Sequence, residues 1–113
     1  MNGEKHLEKA KRIEEGQSDL EPERQWEAIV EMVYGAAFNY IANICERELG
    51  EHMDTYKGLA KFLDDEGLAE IAIWFRILDQ ERAGKWYGGQ GDGDTVEKVR
   101  EVLEKIKVRA GVG

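Results

Sequence analysis

A chain of 113 residues with 42% hydrophobic content and ten aromatic residues (three Trp, four Tyr, three Phe) holds enough apolar material for one core, so a single domain is expected. Its formal net charge of −8 works against non-specific attraction to nucleic acid or to an anionic membrane, and any RNA contact needs a local basic patch. The single cysteine, Cys45, excludes an intrachain disulfide and a thiol-built zinc site.

The first residues, Met1 to Lys11, are charged rather than apolar, and no run approaches the roughly 18 to 20 apolar residues that a spanning helix needs. Neither a leader nor a membrane anchor is expected, and a cytoplasmic setting fits the lone thiol. The one proline, Pro22, and the glycines Gly16, Gly50, Gly67 and Gly88–Gly89 punctuate five helical segments. Strand-like alternation is absent, so the expected fold is all-α, an antiparallel up-and-down bundle of four to five helices with its core within about residues 4–107.

The first helix is predicted from about Glu4 to Glu15, with Leu7, Ala10 and Ile13 as a thin apolar edge and Gly16 as its stop. Pro22 suits the first turn of a second helix, where Glu21, Glu23 and Glu27 complement the positive end of the dipole. That helix should reach about Leu49. Trp26, Ile29, Val30, Val33, Ala37, Tyr40 and Ile44 form one stripe along it, and Tyr34, Phe38, Ile41 and Cys45 form a second beside the first. So wide an apolar arc places the helix either at the centre of the bundle or in a dimer interface, for which Tyr34, Phe38 and Ile41 are the candidates.

A third helix is expected from Asp54 or Thr55, with Tyr56, Leu59, Ala60 and Leu63 inward and Gly67 as its stop. The fourth, about Leu68 to Tyr87, buries Leu68, Ile71, Ala72, Phe75, Leu78 and Trp86, and carries Ile73, Trp74 and Ile77 elsewhere on its surface, so burial on more than one side is expected. After the glycine-rich turn Gly88 to Asp94, the spacing of Asp94 and Glu97 matches a capping box. The fifth helix then buries Val96, Val99, Val102, Leu103 and Ile106 and ends with Lys105, Lys107 and Arg109 near its negative pole.

Asp79 and Arg82 fall within the apolar stripe of the fourth helix, where charge needs a reason. Either they pair with each other or with a neighbour and brace the bundle, or Arg82, with Arg76 and Lys85, forms an anion site, because guanidinium binds phosphate in a planar fork. His52 lacks the Glu-x-x-His spacing of di-iron bundles, so a surface or capping role is expected and no metal or cofactor is assigned. Gly88 to Asp94 lacks the Gly-Lys-Ser/Thr ending of a phosphate loop and reads as an interhelical turn. Cys45 has no basic partner nearby and reads as a buried thiol.

A short charged helix, a long helix with the small-residue centre Tyr34-Gly35-Ala36-Ala37-Phe38, His52 just beyond it and Arg82 late in helix four together resemble the HEPN superfamily. That resemblance implies a helical homodimer of prokaryotic toxin–antitoxin and defence systems, often encoded beside a minimal nucleotidyltransferase. Many such proteins are metal-independent ribonucleases with an Arg-x4-6-His motif at the dimer cleft. Here Arg82 matches the arginine, whereas Tyr87 stands where the histidine is required. Tyrosine, with a reference pKa near 10, is a poor proton shuttle at neutral pH beside histidine near 6.5, so no catalytic residue is assigned. The resemblance then implies binding of RNA, a nucleotide or a partner protein without efficient cleavage, through Arg82, Arg76, Lys85, Trp86 and Tyr87. The alternatives are a ribonuclease that uses Tyr87 or His52, and a purely structural dimeric adaptor.

Overall fold

Among the described residues, helical periodicity resolves into five α-helices. The computed structural model describes residues 3–51, 57–84 and 93–112. Its elements are α1 (Gly3–Ser18), α2 (Trp26–Leu49), α3 (Leu59–Asp65), α4 (Ala69–Gly84) and α5 (Gly93–Arg109), and the described elements are all helical.

Helix α2 is the central element. Both of its predicted stripes are covered by the rest of the chain: Ile29, Val33, Ala37, Tyr40, Ile41, Ile44 and Cys45 are fully buried, and only Trp26 and Phe38 keep partial exposure. By length and composition α2 is long and apolar enough to cross a membrane, contrary to the expectation from the sequence, but 72% of its most apolar window is buried inside the fold. Its buried Asn39 and Asn43 contact α1, which marks these faces as packed against protein.

Helix α1 runs antiparallel to α2: the Asn43 amide donates to the Gly3 carbonyl at one end, and Gly16 lies against Met32 at the other. The helix continues through Gly16 to Ser18 instead of stopping there. A Cβ at Gly16 would come within 3.0 Å of the Met32 terminal methyl, the flexible end of that side chain. Pro22 lies in the connecting turn, not in the first turn of α2. The Glu21 N–H donates to Gln25 Oε1 and the Gln25 N–H to the Glu21 carbonyl, each at 2.8 Å, and the helix starts only at Trp26.

The expected caps Asp54 and Thr55 lie outside the described residues. Gly67 ends α3 as predicted. With φ of 80° it occupies the left-handed region open to glycine, and the Leu68 N–H returns to the Leu63 carbonyl at 2.8 Å. Helix α4 buries Ile71, Ala72, Phe75 and Leu78 as expected, but its other flank stays open: Ile73 is 55% exposed, and Trp74 and Ile77 are only partly covered. Helix α5 buries Val96, Val99, Val102, Leu103 and Ile106, the whole predicted stripe. It includes Gly93 and Asp94, so Asp94 sits in its first turn and does not precede the helix as a cap.

Candidate functional site

Arg82 projects from the last turn of α4 towards α2. Its Nε donates to both carboxylate oxygens of Glu31, at 3.1 and 3.2 Å, and its guanidinium lies 4.7 Å from the centre of the Tyr34 ring. Tyr34 in turn packs against Phe75, with ring centroids 5.1 Å apart. An arginine, an aromatic ring and a carboxylate from two helices thus form one stack at the α2–α4 seam, the geometry of a cation–π contact closed by an ion pair. The brace anticipated for Arg82 is therefore built across to α2. Asp79, expected in the buried stripe beside it, is exposed.

Arg76, the second candidate for anion binding, donates from Nη2 to Asp64 Oδ2 at 2.6 Å and ties α4 to α3. Beside it, Lys61 pairs with Asp65 at 3.2 Å. Tyr34 and Phe75, with Lys57, Lys61, Arg76 and Asp79, line a cleft of about 240 Å³ between α2, α3 and α4. In this cleft Arg76 and Lys61 carry carboxylate partners, so phosphate arriving there competes with Asp64 or Asp65; at Arg82, outside the lining, it competes with Glu31. Counterion release, the main source of nucleic-acid affinity, is correspondingly weakened. Lys85, Trp86, Tyr87 and His52 lie outside the described residues.

The three residues expected at a dimer surface are placed differently. Tyr34 is 5% and Ile41 0% exposed, covered by the chain's own helices, and Phe38 is partly buried with its ring meeting the His6 ring edge-on at 6.2 Å. The wide apolar arc of α2 is satisfied within one chain, so these side chains offer little free surface to a second copy.

The largest feature missed by the sequence reading is a polar seam between α1 and α2. His6, within the predicted first helix and outside its apolar edge, is 3% exposed, and its Nδ1 lies 2.8 Å from Asn39 Oδ1. Because Asn39 Nδ2 donates to the Gly35 carbonyl at 2.8 Å, its oxygen is left to accept, which assigns the proton of His6 to Nδ1. Further along α1, Glu14 accepts from the Tyr40 hydroxyl at 2.8 Å and from Lys107 Nζ at 2.8 Å, joining three helices through one carboxylate. Burial, then the bond to Glu14, raises the Tyr40 pKa well above its ordinary value. Gln17, also buried, receives Arg100 Nε on its side chain at 2.9 Å and Arg100 Nη2 on its carbonyl at 3.1 Å. At the far end of α2, Arg109 forks onto Glu48 and holds that carboxyl below its usual pKa, while Arg47 Nη1 donates to the Ala110 carbonyl at 2.8 Å.

Cys45 is fully buried, and burial with the nearby carboxylates of Glu48, Glu51 and Glu66 pushes its thiol up to about 11, so it is no nucleophile at neutral pH. Among the described residues, no group of three or more His, Cys, Asp or Glu side chains is arranged to hold a metal ion. Compared with known proteins, the chain matches no family model, no curated protein and no solved structure.

Proposed function

We propose that the chain is a cytoplasmic HEPN-like helical domain that acts by binding a partner protein, of the nucleotidyltransferase or toxin–antitoxin kind that the resemblance implies, rather than by cleaving RNA. The observation that carries this reading is the engagement of Arg82 with Glu31 and Tyr34. The resemblance would make this arginine the phosphate-binding group, yet here it neutralises a carboxylate and holds two helices together. A net charge of −8 adds a repulsive field towards RNA, whereas the open flank of α4 offers apolar surface to a protein.

A second reading, nucleotide binding, rests on the cleft with Tyr34 and Phe75 on its wall and Lys57, Lys61 and Arg76 at its edge. Both rings are buried, at 5% and 4% exposure, so a base would have to open that wall before stacking on it and also displace the Asp64 and Asp65 pairs, which places this reading second.

The test uses the purified chain and its Arg82→Ala variant with labelled single-stranded RNA in EDTA, and in parallel co-expression of the chain with the protein encoded beside it. The expected result is no cleavage, no arginine-dependent RNA binding at physiological salt, and a stable complex on size-exclusion chromatography. Cleavage that Arg82→Ala abolishes would replace this reading with that of a metal-independent ribonuclease. Arginine-dependent binding alone would favour the nucleotide or RNA reading.

A further inference from the structure

Helices α4 and α5 pack antiparallel, with Lys98 on Glu81 at 2.8 Å at one end and Trp74 beside Lys105 and Val108 at the other. Between them runs a groove of about 320 Å³ lined by Trp74, Glu101, Glu104, Lys105 and Val108. The exposed large hydrophobic residues among those described, Ile73 at 55% and Val108 at 62%, stand on these same two helices. Ile73, Trp74 and Ile77 share the flank of α4 by their spacing, so the apolar surface is continuous along that helix.

Two carboxylates, Glu101 and Glu104, and one ammonium, Lys105, line the groove, and Glu97 extends the acidic row beyond it, so the excess charge along this edge is negative. Glu97, Glu101 and Glu104 follow one another at spacings of four and three along α5 and form a ridge ending at Val108. Glu104 approaches Lys107 at 3.5 Å, while Glu97 and Glu101 are exposed. Two copies would each carry a net charge of −8 and the same excess of glutamate on this face, which opposes self-association through it. A cationic partner meets the opposite situation: the ridge attracts it and the groove accepts an apolar anchor.

We propose that the α4–α5 groove docks an amphipathic helix of a partner protein, with one large apolar side chain seated between Trp74 and Val108 and Lys or Arg residues along the Glu97–Glu101–Glu104 ridge. This inference rests on the protein-binding reading and names the chemistry of its partner. The mode is helix-in-groove recognition, with the aliphatic stem of Lys105 extending the apolar wall.

The probes are a 20-residue amphipathic peptide with Leu and Phe on one face and Lys on the other, its Glu-for-Lys counterpart, and a scrambled peptide of the same charge. Each is titrated into the isotope-labelled full chain and followed by NMR and calorimetry. The Lys peptide is expected to bind one to one, with shifts centred on the Trp74 indole and Val108, and the other two peptides to leave these signals unmoved. Glu97→Lys with Glu101→Lys should weaken binding by about tenfold or more. Val108→Lys should weaken it comparably, with unchanged helical circular dichroism and melting temperature showing that neither variant unfolds.

Equal binding of the Glu or scrambled peptide, shifts centred elsewhere, or no binding of the Lys peptide would overturn the inference. So would a dimer that Val108→Lys dissolves, although protein binding would then stand with a second copy as occupant. Arg82-dependent RNA cleavage is the separate result that removes the underlying reading.

Discussion

The Tyr40–Glu14–Lys107 cluster predicts a measurable coupling between three helices. Tyr40 is 0% exposed, and its hydroxyl donates to a carboxylate that also receives Lys107 Nζ, each at 2.8 Å. Tyr40→Phe removes one hydrogen bond to a charged acceptor; because Glu14 keeps Lys107 and is 22% exposed, the loss falls at the low end for such bonds, about 1.5 kcal/mol. Glu14→Ala leaves the buried hydroxyl without its acceptor, which costs more, about 2 to 3 kcal/mol. Lys107, 18% exposed, limits that loss by turning to water. The double variant should show a coupling of about 1 kcal/mol.

Urea unfolding of the four proteins, followed by circular dichroism at neutral pH, measures these quantities. A Tyr40→Phe cost below about 0.5 kcal/mol, or strict additivity in the double variant, would refute the argument. The same cluster contributes to the alkaline loss of stability, beside the buried Cys45 thiol. The pKa of Tyr40 is raised by burial and by Glu14, and that of Lys107 is raised chiefly by its bond to Glu14. In both cases the folded state favours the protonated form. The stabilisation is therefore complete below the unfolded values, about 10 for Tyr and 10.4 for Lys, and is lost as pH rises through the higher folded ones. Tyr40→Phe should flatten that alkaline fall.

Gly35→Ala should stabilise the chain by about 0.5 to 1 kcal/mol, because a mid-helix glycine carries an entropic cost and an added methyl would sit 3.8 Å from Ile13 Cδ1, an ordinary contact; denaturant titration reads it. Ala37→Leu should do the reverse, costing about 1 to 3 kcal/mol by overpacking a position that is 0% exposed, and unchanged thermal stability would contradict the packing of α2. Cys45, buried with its thiol pushed up to about 11, should react with a thiol reagent at pH 8 only as fast as the chain opens. Urea below the unfolding midpoint should therefore speed labelling in proportion to the unfolded fraction, and rapid labelling of the native protein would exclude a sealed thiol.

Periodicity made α2 and α5 legible because their apolar stripes are long and uninterrupted. Every residue of the α5 stripe is buried, and both α2 stripes fill the centre. Local punctuation was less dependable. Gly67 stops a helix because the chain reverses there with positive φ, whereas Gly16 keeps helical backbone and α1 runs on to Ser18. The polar seam was illegible for a different reason. His6 pairs with Asn39 across 33 residues and Tyr40 with Glu14 across 26, so nothing in the neighbouring letters distinguishes His6 or Glu14 from the solvated charges around them. Periodicity also overstated α4, where Ile73, Trp74 and Ile77 are apolar without being enclosed, because a hydrophobic letter records what a side chain can bury and not whether the chain supplies a cover.

Arg82 shows how the same limit bears on function. A motif arginine read along the sequence carries the role that its resemblance supplies, and there is no local sign that Glu31, 51 residues earlier, is its partner. The physical role depends on that partner. Facing open solvent, the guanidinium would present a planar fork to phosphate; against Glu31 and the Tyr34 ring, with its side chain 31% exposed, it gains more by holding α2 to α4. Phosphate would have to separate the pair and replace its energy before contributing any affinity of its own. That competition is smaller at Trp74 and Val108, where the groove is apolar; Glu104 is already approached by Lys107, while Glu97 and Glu101 are exposed carboxylates with the sign to attract a cation. The two surfaces therefore differ in what a ligand must displace, and this difference favours a protein at the α4–α5 groove over a nucleic acid at Arg82.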